Sequence, residues 1–124
     1  MISQEKAYQL LDEWLKAFDT EMVGPDREKI ARAIGSERLT YDPGSQLFTI
    51  ILNVPIQLEN GEEIIHLDIA EPTVDQLKNA SRVKDEFMMS LKLLSQISKQ
   101  PEAILSRMKM RDMTLASLVL GFFS

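Results

Sequence analysis

The sequence predicts an α+β fold, with two N-terminal helices, a small antiparallel sheet of hairpins and a C-terminal helical region. Three observations predict it. Apolar residues recur at three- and four-residue steps near the N-terminus; from Arg38 the period falls to two among turn-forming residues; and after Pro72 the helical period returns. At 124 residues a single domain is expected over residues 1–124, helical over 1–36, stranded over 37–70 and helical again over 73–123.

Ser3 can cap a first helix in which Ala7, Leu10, Leu11, Trp14, Leu15 and Phe18 form one apolar face, with Glu5, Lys6, Asp12, Glu13 and Lys16 outside. Gly24, Pro25 and Asp26 break it, and a second helix over 26–34 presents Ile30, Ala33 and Ile34 and ends at Gly35. Leu39 and Tyr41 then alternate with polar neighbours, the 42–45 segment is turn-forming, and residues 47–52 are rich in β-formers, which predicts a hairpin. Pro55 interrupts the next segment. Residues 56–58, the Asn60-Gly61 pair and residues 64–69 repeat the pattern, with Asn-Gly favouring a type I′ turn, for three or four strands in all. Thr73 with Gln76 makes a capping box that opens a helix with Leu77, Ala80, Phe87, Leu91, Leu94 and Ile97 on its apolar face, bending near 84–86. Pro101 suits a short helix through Met108, and Asp112 can cap a last one running to Phe122.

Composition narrows the function classes. The 44% hydrophobic and 27% charged residues are those of a folded chain. Without cysteine there is no disulfide framework and no thiolate nucleophile or ligand, which fits a reducing, cytoplasmic setting. The N-terminus lacks a basic and then apolar leader, and no apolar run nears the ~20 residues of a membrane span. Charge is segregated: residues 37–72 hold seven acids against one base, residues 73–124 five against eight. The bases of the last segment are nonetheless interspersed with acids, so solvated helix faces are expected and not a nucleic-acid surface.

No catalytic, cofactor or metal site is expected. His66 and Asp68 share a strand face but lack a third ligand nearby. Glu59, Glu62 and Glu63 crowd a wet hairpin tip, where carboxylates lack the enclosure that catalysis needs. The scattered glycines build no phosphate cradle. Apolar surface remains as the main feature. Five of the seven methionines fall within the last 37 residues; Met88 and Met113 read as core. In the closing helix Met113, Ala116, Leu120 and Phe123 make one stripe and Leu115, Leu118, Val119 and Phe122 another. A helix apolar all round is either buried or held for a partner, and both readings stay open. The partner reading nominates Met108, Met110, Leu115, Leu118, Val119, Phe122 and Phe123 as binding residues, and the same run is the ground for expecting homo-oligomers.

Leu39-Thr40-Tyr41-Asp42, the Pro55-Ile56 strand, Gly61, the strand Ile65-His66-Leu67-Asp68-Ile69, Glu71-Pro72-Thr73, the helix around Leu94, Met108, Arg111-Asp112 and the terminal Gly121-Phe122-Phe123 resemble the tailed-phage (prophage) tail assembly chaperones. The resemblance spans roughly residues 39–124; the first two helices match nothing. It implies a non-enzymatic cytoplasmic protein of the bacterial host cell that keeps the tape-measure protein soluble and helps recruit tail-tube protein during virion morphogenesis. It also implies that many members occur in two lengths through a ribosomal frameshift, of which a chain ending at Gly121-Phe122-Phe123-Ser124 would be the shorter. The competing class is a small acidic secretion-type chaperone or another protein-interaction module.

Overall fold

A computed structural model describes residues 1–123. Two helices come first, α1 (Gln4–Ala17) and α2 (Gly24–Gly35). Three antiparallel strands come next, in the spatial order β1-β2-β3: β1 (Leu39–Asp42), β2 (Leu47–Gln57) and β3 (Glu63–Ile69). Four helices, α3 (Val74–Ala80), α4 (Glu86–Ser98), α5 (Glu102–Leu105) and α6 (Met110–Leu120), and a 3-10 turn (Gly121–Phe123) complete the α+β architecture.

The Ser3 side chain accepts from the Lys6 N–H and caps α1 as its sequence predicts. The helix ends differently from the expectation. Asp19 takes the left-handed conformation (φ 51°), and Thr20 N–H donates to the Leu15 carbonyl while Asp19 N–H donates to Lys16, a Schellman closure. Gly24 and Pro25 therefore open α2 instead of breaking α1. α2 closes in the same way, with Glu37 (φ 61°) in the left-handed position and Gly35 still helical. The Gly35 carbonyl ties down the N-terminal segment by accepting from Ile2 N–H at 3.0 Å. Arg27 joins the two helices, bridging Asp12 at 2.7 Å and lying over the Tyr8 ring.

The β1–β2 turn is organised by Asp42, whose carboxylate accepts from Ser45 Oγ at 2.8 Å and from Gly44 N–H at 3.1 Å. Those bonds favour the anion, the serine contact foremost, and hold the carboxyl below its ordinary pKa. The second turn corrects the type I′ expectation. Only Gly61 has positive φ (87°); Gly61 N–H donates to Leu58 and Leu58 N–H to Glu62, the pattern of a three-residue loop closed by a glycine bulge.

Pro55 does not end a strand. β2 runs through it, but its register with β3 jumps from Ile51↔His66 to Ile56↔Ile64, so residues 52–55 oppose Ile65 alone. Proline is tolerated because this wide bulge needs no ladder hydrogen bond from it. The N–H groups that the bulge turns away from β3 find another partner, Asp112, which donates nothing and accepts everything: Asn53 N–H at 2.9 Å, Val54 N–H at 3.2 Å and Arg38 Nη2 at 2.8 Å. Asp112 is completely buried. It lies inside α6, whose N-cap is Lys109, so the reading of Asp112 as the helix cap is corrected: its task is to bind α6 to the bulge.

One sheet face carries the core. Leu39, Phe48, Ile50, Leu52, Leu67 and Ile69 meet Leu11, Trp14 and Leu15 of α1, Ile30 and Ile34 of α2, Leu91 and Leu94 of α4 and Val119 of α6. Phe122 stacks on Phe48 at 4.6 Å, Trp14 stands edge-on to both rings, and Phe123 packs edge-on against Phe18 at 5.3 Å. On the opposite sheet face Thr40, Ile51, His66 and Asp68 are exposed.

Candidate functional site

The region after the sheet is two helices where the periodicity suggests one bent helix. The capping box forms as predicted: Gln76 N–H donates to Thr73 Oγ1 at 3.1 Å, and Thr73 N–H donates to Gln76 Oε1 at 2.9 Å. α3 then stops after two turns. Ser81 Oγ bonds back to the Lys78 carbonyl, and Asp85 starts α4 afresh by accepting from Met88 N–H at 3.0 Å. The bend expected near 84–86 is thus a true break, over residues 81–85.

That break decides which side chains face water. α4 sends Leu91 and Leu94 into the main core, whereas Ala80 and Leu93 are buried between the two helices outside that core. Val74, Leu77, Phe87 and Met88 are left exposed, Val74 at 80% and Phe87 at 47%. Leu77, Phe87 and Met88 therefore correct their reading as inward-facing residues; once the helix is broken, one continuous apolar stripe no longer exists to carry them inside. The other four phenylalanines all join the core, so Phe87 is conspicuous. Between α3 and α4 opens a cleft of about 410 Å³ whose lining includes Val74, Leu77, Ala80, Met89 and Leu93, with Lys78 among them.

The residues nominated from the closing helix are placed differently. Met108, Leu115, Val119 and Phe122 are buried, the last two completely. Phe123 is half-buried against Phe18. Of the two readings of an all-round apolar helix, the one realised is burial of most of its apolar residues, because β2 and α2 pack against it and Phe122 lies on Phe48 and Trp14. The apolar run that motivated self-association faces the chain's own core. Leu118 is half-buried, and Met110 is exposed at 66%. These two border a second groove, between α1, α2 and α6. Met113 is core as expected.

The polar candidates stay apart. Asp68 accepts from Thr49 Oγ1 at 2.8 Å on the exposed sheet face beside His66, and Glu59 lies 3.5 Å from Arg107 at the hairpin tip. Among the described residues no group of three or more His, Cys, Asp and Glu side chains is placed to hold a metal ion. Among them, too, no helix is long and apolar enough to cross a membrane.

Residues 49–124 match the family described as phage tail assembly chaperone proteins, E, or 41 or 14. The chain belongs to this family of phage tail assembly chaperones. No curated protein matches it, and no solved structure does. The matched span begins within β2 and holds the whole α3–α4 cleft of the chaperone, together with the bulge and Asp112; α1, α2 and β1 lie outside it. A tail assembly chaperone acts in virion morphogenesis by contact with tail proteins, and an exposed apolar cleft in the family segment is the kind of surface such contact uses.

Proposed function

We propose that this chaperone shields an apolar helical stripe of the tape-measure protein in the α3–α4 cleft until the tail tube forms around it, and that it helps recruit tail-tube protein in the host cytoplasm without catalysing a reaction. The observation that carries this reading is the cleft within the family segment, whose apolar lining includes the exposed Val74 and Leu77; Phe87 and Met88 at the start of α4 are exposed apolar side chains outside that lining. A tape-measure helix offers apolar residues at three- and four-residue spacing, and helix-in-groove packing covers them. Fully burying a phenylalanine contributes about 1.5–3 kcal/mol; Phe87 is already about half covered, so it offers roughly half of that. A few such anchors give binding that can be reversed when the client is surrendered. Met89, in the cleft lining, adds a surface that adapts to different client side chains.

The test is co-expression of the tape-measure protein encoded beside this chain with wild type and with the V74S/L77S/F87S variant. Wild type is expected to keep the client soluble and co-purify with it; the variant, folded by circular dichroism, is expected to lose most of it. A folded variant that captures the client as well as wild type removes the cleft as the binding surface. Failure of wild type to capture it removes the tape-measure reading.

A further inference from the structure

We infer that the groove between α1, α2 and α6 docks an amphipathic helix of a protein partner, one whose apolar stripe is flanked by acidic side chains. The groove encloses about 1010 Å³, and its apolar lining includes Ile2, Ala31, Leu115, Leu118 and the Tyr8 ring. Met110 stands exposed at the border and supplies an adaptable contact.

The charge at this groove selects the partner. Lys29 of α2 and Arg111 of α6 line it, both exposed, and neither makes an ion pair among the described residues. The other charged side chains there are satisfied: Arg32 pairs with Glu28 at 3.0 Å, and Arg38 with Asp112. The uncompensated charge is therefore positive, in a chain whose formal net charge is -5. Cations beside an apolar floor match a helix that places carboxylates on both sides of its apolar stripe, and the match governs partner choice and encounter rate. No residue lines both this groove and the α3–α4 cleft, so the two surfaces can be occupied together. Most of this groove comes from residues 1–38, outside the span of the family match.

The probes are two synthetic helical peptides with one alanine–leucine stripe, flanked by glutamate in one and by lysine in the other, titrated into the full chain and followed by amide chemical shifts. The glutamate peptide is expected to bind, with shifts centred on Tyr8, Lys29, Arg111 and Thr114. The lysine peptide should bind far more weakly. The K29E/R111E variant, altered only at exposed positions, should weaken the glutamate peptide about tenfold, the scale of two lost surface ion pairs replaced by repulsion, and strengthen the lysine peptide. Equal binding of both peptides, shifts confined to α3–α4, or no binding would each overturn the proposal. So would a dimer of this chain that K29E/R111E dissociates, since the groove would then hold a second copy. None of these outcomes depends on whether the tape-measure protein is the client of the α3–α4 cleft.

Discussion

Replacing Asp112 by alanine removes a carboxylate with no exposure that accepts from Arg38, Asn53 and Val54. Taking one partner from a buried ion pair costs about 3–5 kcal/mol when the remaining charge is stranded. Arg38 is 27% exposed and can turn toward water, which lowers that figure. Each N–H left unsatisfied adds about 1–3 kcal/mol, toward the lower end here because Asn53 and Val54 are exposed residues that water can reach. The net loss should be about 2–4 kcal/mol, a large share of the ~5–15 kcal/mol that folds a typical domain. Asp112→Asn keeps the shape but turns an amide NH₂ toward other donors, so it should fall between alanine and wild type. Urea unfolding measures both losses, and the melting temperature of the alanine variant should drop by roughly 5–15 °C. Arg38→Met combined with Asp112→Ala should cost less than the sum of the two, because the residues share one interaction. If Asp112→Ala costs no more than the ~1 kcal/mol of a lost helix cap and shows no coupling to Arg38, the account of the bulge is wrong.

Phe122→Ala should destabilise by about 3–5 kcal/mol in the same unfolding assay, since its ring is fully buried on Phe48, whereas Phe87→Ser, which removes a half-covered ring, should cost about 1 kcal/mol; the reverse ranking would exchange core and surface. The Asp12 carboxyl is held below its ordinary pKa, chiefly by its hydrogen bond from Arg27. Because the folded value is depressed, its contribution is present above the unfolded pKa of about 3.9 and is lost as pH falls through the folded value. This surface pair is worth no more than about 1 kcal/mol, so Asp12→Asn should flatten the stability curve slightly below pH ~4 and lower it slightly at neutral pH; identical slopes for both proteins would contradict the assignment.

Elements with strong local signals are legible in the sequence. Ser3 and the Thr73–Gln76 box mark two helix starts by hydrogen bonds made within a single turn, and the strand pairs flank turn residues that close locally. The features that escape a sequence reading depend on distant partners. Asp112 has the residue type and position of a helix cap, and its actual partners lie 58 to 74 positions away, invisible to any local pattern. Pro55 has the look of a strand end because the bulge that accommodates it, with its Asn53 and Val54 N–H groups bound by Asp112, leaves no local signature. Asp19 and Glu37 close helices in left-handed conformations usually taken by glycine, so the neighbouring glycines mislead. The candidate site is displaced for a related reason: the closing helix is as apolar as a docking surface, but β2 and α2 cover most of it, while the shorter α3–α4 pair is left with apolar side chains that are about half exposed or more.

The claim that client binding occurs at the α3–α4 cleft is tested most directly by photocrosslinking. A photoreactive phenylalanine analogue placed at Leu77, which lines the cleft, or at Ile51 on the open sheet face as a control, is irradiated during co-expression with the tape-measure protein. The account predicts abundant adducts with the tape-measure protein from position 77 and few from position 51. Adducts from position 51 alone, or none from 77 while the complex still co-purifies, would contradict it.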